Sequence, residues 1–176
     1  MLRTAALFLS ALPLFAADLP VGARLPNLQG DFLTGRPAVL PQAASGRVAL
    51  LALGFTYDSR HAVEAWVKRF RTQFGQNPQA AFFQIPMLGG AARMGRWFIE
   101  NGMRRGTPKD DQDRVITVYG GSDPWKQRLA FKDPNAAYLI LIDQQGVVRW
   151  LHSGPFDERA YQRLSAETDR LLAARN

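Results

Sequence analysis

Val48-Ala49-Leu50-Leu51-Ala52-Leu53-Gly54-Phe55, followed at once by Thr56-Tyr57-Asp58-Ser59-Arg60-His61, decides the fold. A continuous apolar run of this length, bounded by Gly46 and by a polar turn, predicts a strand buried on both faces, as at the centre of a parallel sheet. Beyond the turn, Val63, Trp66, Val67, Phe70 and Phe74 recur at helical spacing, and Asp58 or Ser59 stands where a helix N-cap belongs. The stretch therefore predicts a strand–turn–helix unit.

Upstream, short apolar pieces between Leu25 and Leu40 are broken by glycine and proline, which predicts a hairpin turning at Gly30-Asp31. Downstream, Ala80 to Met87 predicts a second buried strand, and Gly89-Gly90 separates it from a helical stretch over Ala91–Met103. The polar residues from Gly106 to Asp113 predict a loop, and Val115 to Tyr119 a short strand. Ser122-Asp123-Pro124 predicts a helix start with proline at its first position. Ala137–Ile142 and Val147–Leu151 flank Gln144-Gln145-Gly146 as an antiparallel hairpin. Asp157 then caps a last helix whose Tyr161, Leu164, Thr168, Leu171 and Leu172 share a face, with Phe156 and Tyr161 at the two positions of a hydrophobic staple. A βαβ half, an inserted helix, a short strand and helix, a hairpin and a closing helix make an α/β, three-layer arrangement around a mixed sheet. That is the thioredoxin-like layout, expected as one domain over residues 18–176.

Residues 1–17 carry Arg3, then an almost wholly apolar run to Ala17, ending Phe15-Ala16-Ala17. The pattern predicts a secretory signal peptide, and with it a periplasmic or secreted protein; an uncleaved anchor is the alternative reading. With 22 Lys and Arg against 15 Asp and Glu, the chain has a formal charge of +7. That balance suits an acidic partner or an anionic membrane surface. Nucleic acid is not expected, because no basic run is interleaved with aromatics. The chain has no cysteine, which excludes dithiol exchange and cysteine-based peroxide reduction.

In a thioredoxin-like fold, chemistry sits where the first buried strand meets its helix, because backbone N–H groups and the helix dipole favour an anion there. The residues at that turn are Tyr57, Asp58, Arg60 and His61. They read either as a plain helix start or as a site for an anionic group on a partner, to which Arg149 would contribute beside Trp150 on the final strand. His61 and His152 are the only histidines. A metal site built from them and Asp58 would make the chain a copper carrier or an enzyme, but no tight ligand spacing supports it. Lys109-Asp110-Asp111-Gln112-Asp113 lacks the spacing of a calcium loop, and no serine lies in a nucleophile elbow. No cofactor is implied. The stretch from Ala91 to Arg105 alternates Met94, Trp97, Phe98 and Ile99 with Arg93, Arg96, Arg104 and Arg105. It reads either as a core-facing stripe or as a contact surface in which Arg96 and Trp97 meet a partner or a membrane.

Several short motifs carry a resemblance: Leu25-Pro26-Asn27-Leu28-x-Gly30, Gly46-Arg47-Val48, Glu64-x-Trp66, Asn135-x-x-Tyr138-Leu139-x-Leu141-Ile142-Asp143, and Val148-Arg149-Trp150 with Ser153-Gly154. Together they resemble the mitochondrial ATP synthase assembly-factor family founded on subunit ten of the ATPase complex, with its bacterial relatives. The resemblance implies a thioredoxin-like fold without the redox pair, acting as a non-enzymatic assembly factor or chaperone for a protein client in a membrane complex. The export signal departs from the mitochondrial members and puts the ATP synthase itself in doubt as the client. Periplasmic thiol–disulfide oxidoreductases and Sco-type copper metallochaperones share the layout but use cysteines that this chain lacks.

Overall fold

The computed structural model describes residues 18–174; the predicted signal segment lies outside them. Seven strands form one mixed sheet: β1 (Leu28–Phe32), β2 (Pro37–Leu40), β3 (Val48–Gly54), β4 (Ala80–Leu88), β5 (Ile116–Tyr119), β6 (Ala137–Ile142) and β7 (Val148–Gly154), in the order β2-β1-β5-β4-β3-β6-β7. The helices are α1 (Arg60–Phe74), α2 (Arg96–Gly106), α3 (Ser122–Arg128) and α4 (Glu158–Ala173).

β3 is buried at every position, as its continuous apolar sequence requires. It runs parallel to β4 and antiparallel to β6, while β5 extends the parallel side and β7 closes the antiparallel one. This is the thioredoxin-like arrangement predicted above, with the β1–β2 hairpin added beyond β5. Alternation along β3 splits the core. Ala49, Leu51 and Leu53 face one cluster with Trp125 of α3, whereas Val48, Leu50 and Ala52 face Trp66 and Phe70 of α1 and Tyr161 and Leu164 of α4. All five apolar positions predicted to face the core from α1 are buried.

Four local expectations change. The first hairpin turns at Leu33–Arg36, where Gly35 has φ +88°, and not at Gly30-Asp31, which lie inside β1. Gly30 serves close approach instead, since a Cβ there would stand 2.6 Å from the Thr117 carbonyl oxygen of β5. The stretch predicted as one helix from Ala91 opens as a 3-10 turn over Gly90–Gly95 and becomes α-helical only at Arg96. The Lys109–Arg114 stretch, predicted as loop, forms a second 3-10 turn. Ser122 opens α3 behind left-handed Gly121 at the cap position, so Pro124 is the third residue of the helix and not the first. At α4 the expectation holds. Asp157 accepts a hydrogen bond from the Ala160 amide at 2.7 Å, and the Phe156 and Tyr161 rings lie 6.0 Å apart. No helix among the described residues is long and apolar enough to cross a membrane.

Candidate functional site

The parallel strands β3 and β4 are neighbours, with Gly54 opposite Pro86, so the segments leaving their carboxyl ends emerge on one edge of the sheet. That edge is where open α/β sheets place their sites. From β3 comes the Thr56–His61 turn, and from β4 the 3-10 turn and α2.

The first of these is closed on itself. Ser59 is fully buried, donates to the Thr56 carbonyl at 2.7 Å and accepts from the Thr56 amide, while the Thr56 hydroxyl accepts from the Ser59 amide at 3.2 Å. Ser59 is the N-cap residue of α1, one of the two positions expected, but its side chain makes no capping hydrogen bond to the helix and is spent locking the turn. Gly54 makes room for it, since a Cβ there would meet Ser59 Oγ at 2.6 Å. Thr56 also donates to the Pro134 carbonyl at 2.6 Å, tying the turn to the loop before β6. The cis peptide bond among the described residues is Leu40–Pro41, and the bond to Pro134 is trans. Tyr57 stands 78% exposed with the Arg60 guanidinium 3.6 Å above its ring, while Asp58 and His61 are exposed. The turn thus presents an aromatic–cationic pair over a hydrogen-bonded polar lock.

His152 does not join His61 and Asp58 as a metal set. It lies on β7 opposite Leu139, stacked on Trp150 at 5.5 Å and edge-on to Trp66 at 5.3 Å. Burial among these rings pushes its pKa below the usual histidine value, with Arg163 adding and Asp157 opposing. Among the described residues no group of three or more His, Asp or Glu could hold a metal ion. Arg149 and Trp150 are likewise apart from the turn. Arg149 binds Asp143 at 2.7 Å at the β6–β7 turn, and this end of the sheet is opposite to Tyr57, since Ile142 pairs with Ala49 and Tyr138 with Leu53. Trp150 is half-buried on Trp66.

The inserted helix departs most from ordinary packing. Its one buried residue is Glu100, 7% exposed, which accepts from Arg96 at 2.7 Å and Arg104 at 2.8 Å. Arg96 also reaches Asp31 of β1 at 2.9 Å and lies 4.9 Å over the Tyr119 ring of β5, and Arg104 donates to the Leu33 carbonyl at 2.6 Å. Burial lowers the pKa of Arg96, but its hydrogen bonds to Glu100 and Asp31 outweigh that and hold it above the usual arginine value. Burial pushes the Tyr119 phenol up to about 12, reinforced by Glu100 and opposed by Arg96. Residues at i, i+4 and i+8 fall on one helical face, so Arg96, Glu100 and Arg104 form a charged strip that faces the protein.

The aromatic residues are left outside. Trp97 is 66% and Phe98 74% exposed, their rings edge-to-face at 4.8 Å, and Met94 is 97% exposed. Trp97, Phe98, Asn101, Arg104 and Arg105 line a shallow open groove of about 510 Å³. Of the two readings of this segment, the core-facing stripe fails for Trp97 and Phe98. Arg96, expected to meet a partner, is occupied as the helix's anchor. Glu100, absent from the expected site, holds the arrangement; its i, i+4 spacing to Arg96 and Arg104 was the signal.

A family model described as ATP10 protein matches residues 5–171. Among solved structures, a thiol:disulfide interchange protein DsbE from Chlorobium tepidum is similar at 16% identity and TM-score 0.60, covering 86% of this chain and 99% of its own. The thioredoxin domain of a thiol-disulfide oxidoreductase from Bacteroides vulgatus is similar at 14% identity and TM-score 0.55, covering 85% and 98%. A thiol peroxidase from Chromobacterium violaceum gives 17% and 0.53, covering 87% and 90%. At these identities the likeness is one of fold. No curated protein matches the chain in sequence.

Proposed function

This chain belongs to the ATP10 protein family, and from that membership we propose that it is a non-redox binding protein that assists assembly of a membrane-bound complex. The absence of cysteine removes the chemistry of its structural neighbours, and the self-locked turn at Ser59 offers no replacement nucleophile. What remains is binding. The single observation that carries the reading is the inverted helix α2, in which a buried carboxylate and two arginines hold the back while Trp97 and Phe98, with Met94 of the preceding 3-10 turn, stand exposed in front. Exposed aromatics on a fixed scaffold are what interface hot spots are made of. The working surface is then the sheet edge from which both α2 and the Tyr57 turn emerge. The apolar residues 1–17 support export, so the proposal places the client in the cell envelope; for the mitochondrial members of the family the resemblance implies the ATP synthase, and for this chain the client is proposed only as a membrane complex.

A photoreactive residue at Tyr57 or at Trp97 of the exported protein tests this. The expected result is an adduct with one membrane complex from at least one of these positions and none from Gln145, at the opposite end of the sheet. No specific adduct from either position contradicts the reading.

A further inference from the structure

The exposed face of α2 has a composition that identifies its own contact. Between positions 91 and 110 there are five basic residues against two acidic ones, and one of those acids, Glu100, is buried between Arg96 and Arg104. The helix has no acid in its first turn and two arginines in its last. Its outward surface is therefore apolar at Met94, Trp97 and Phe98, basic at the exposed Arg105, and followed by exposed Lys109 and Asp110. The apolar part is small. Three such side chains offer roughly 500 Å², and a specific protein interface buries ~800 Å² of polar and apolar surface per partner, so a protein partner on this edge must also cover the Tyr57 turn, as the client proposed above does. A lipid interface requires only a narrow apolar strip, a tryptophan at headgroup depth and flanking positive charge.

We propose that α2 and the 3-10 turn before it seat Trp97, Phe98 and Met94 in the interfacial layer of an anionic bilayer, with Arg105 on the lipid headgroup phosphates. The Glu100 network works from behind. By binding Arg96 to Asp31 of β1 and Arg104 to the Leu33 carbonyl, it stops the helix from rolling its aromatics onto the sheet. The inference rests on the reading above in taking the client to be a membrane complex, which the Tyr57 turn on the same sheet edge then meets at the membrane surface.

Tryptophan fluorescence gives a local test on the full chain. Trp66 and Trp125 are buried and Trp150 is half-buried, so Trp97 is the exposed member of the four. Vesicles of phosphatidylcholine and phosphatidylglycerol are expected to shift the emission to the blue, and brominated lipid to quench it. Trp97→Phe, checked by circular dichroism for folding, is expected to abolish the shift even where residues 1–17 hold the chain on the vesicle. Arg105→Glu is expected to raise the anionic-lipid concentration needed for half of the Trp97 shift by at least about fivefold. No shift on anionic vesicles, an equal shift on pure phosphatidylcholine, or a shift unchanged by Trp97→Phe would overturn the proposal. If the shift is absent while the crosslink from Tyr57 persists, the lipid contact fails and the assembly reading stands; a shift with no crosslinked complex has the opposite meaning.

Discussion

His152 shows how one side chain links the packing to pH. Its ring is stacked on Trp150 and edge-on to Trp66, and burial holds its pKa below the ordinary value. The unfolded chain therefore takes up the proton first as pH falls, so stability is unaffected well above pH ~6.5 and decreases between that value and the lower folded pKa. Denaturant melts across this window are expected to show the loss, and His152→Phe to flatten it; equal slopes in the two proteins would show that the ring cluster does not control the titration. Gly30 is a second residue whose role is geometric. With the Thr117 carbonyl 2.6 Å from where a Cβ would sit, Gly30→Ala must push β1 away from β5, and we expect a cost of about 1–3 kcal/mol in chemical denaturation. Sequence suggested a turn at this glycine because glycine marks both turns and close approaches, and the two separate only when the neighbouring strand is known.

Among the elements, legibility followed the range of the interactions. β3 could be read from its unbroken apolar run, α1 from the spacing of Val63, Trp66, Val67, Phe70 and Phe74, and the start of α4 from Asp157, because each signal is local or depends only on burial. The outward face of α2 could not be read. An amphipathic helix has one apolar and one charged side; the i, i+4 spacing of Glu100 to Arg96 and Arg104 marks an ion-paired strip but not that this strip meets the protein, which is decided by Asp31, 65 residues before Arg96. Likewise Thr56 and Ser59 lock the turn through mutual hydrogen bonds that a capping rule does not anticipate. Glu100→Gln tests the α2 arrangement. Removing the charge leaves two guanidinium groups without their common partner, so stability should fall by about 1–3 kcal/mol, with faster amide exchange confined to Arg96–Gly106. Unchanged exchange in that helix would mean that Arg96–Asp31 and Arg104–Leu33 hold it without the Glu100 charge.

At the scale of the whole molecule, the sheet is a frame whose one edge, on the reading proposed above, serves contact. The fold is shared with thiol oxidoreductases, but the chain has no cysteine, and in the proposed function the frame serves to display its surface. The end of the sheet holding Arg149 and Asp143 is engaged in its own ion pair, whereas the opposite edge carries Tyr57 and leads into Trp97 and Phe98, all exposed. The central claim is that these aromatics serve assembly of a membrane complex. It is tested most directly by quantifying assembled envelope complexes on native gels in cells lacking the chain and complemented with either wild type or Trp97→Ala/Phe98→Ala. The account predicts that one complex is depleted without the chain, restored by wild type, and left depleted by the double variant at an equal level of folded protein; full restoration by the variant would contradict it.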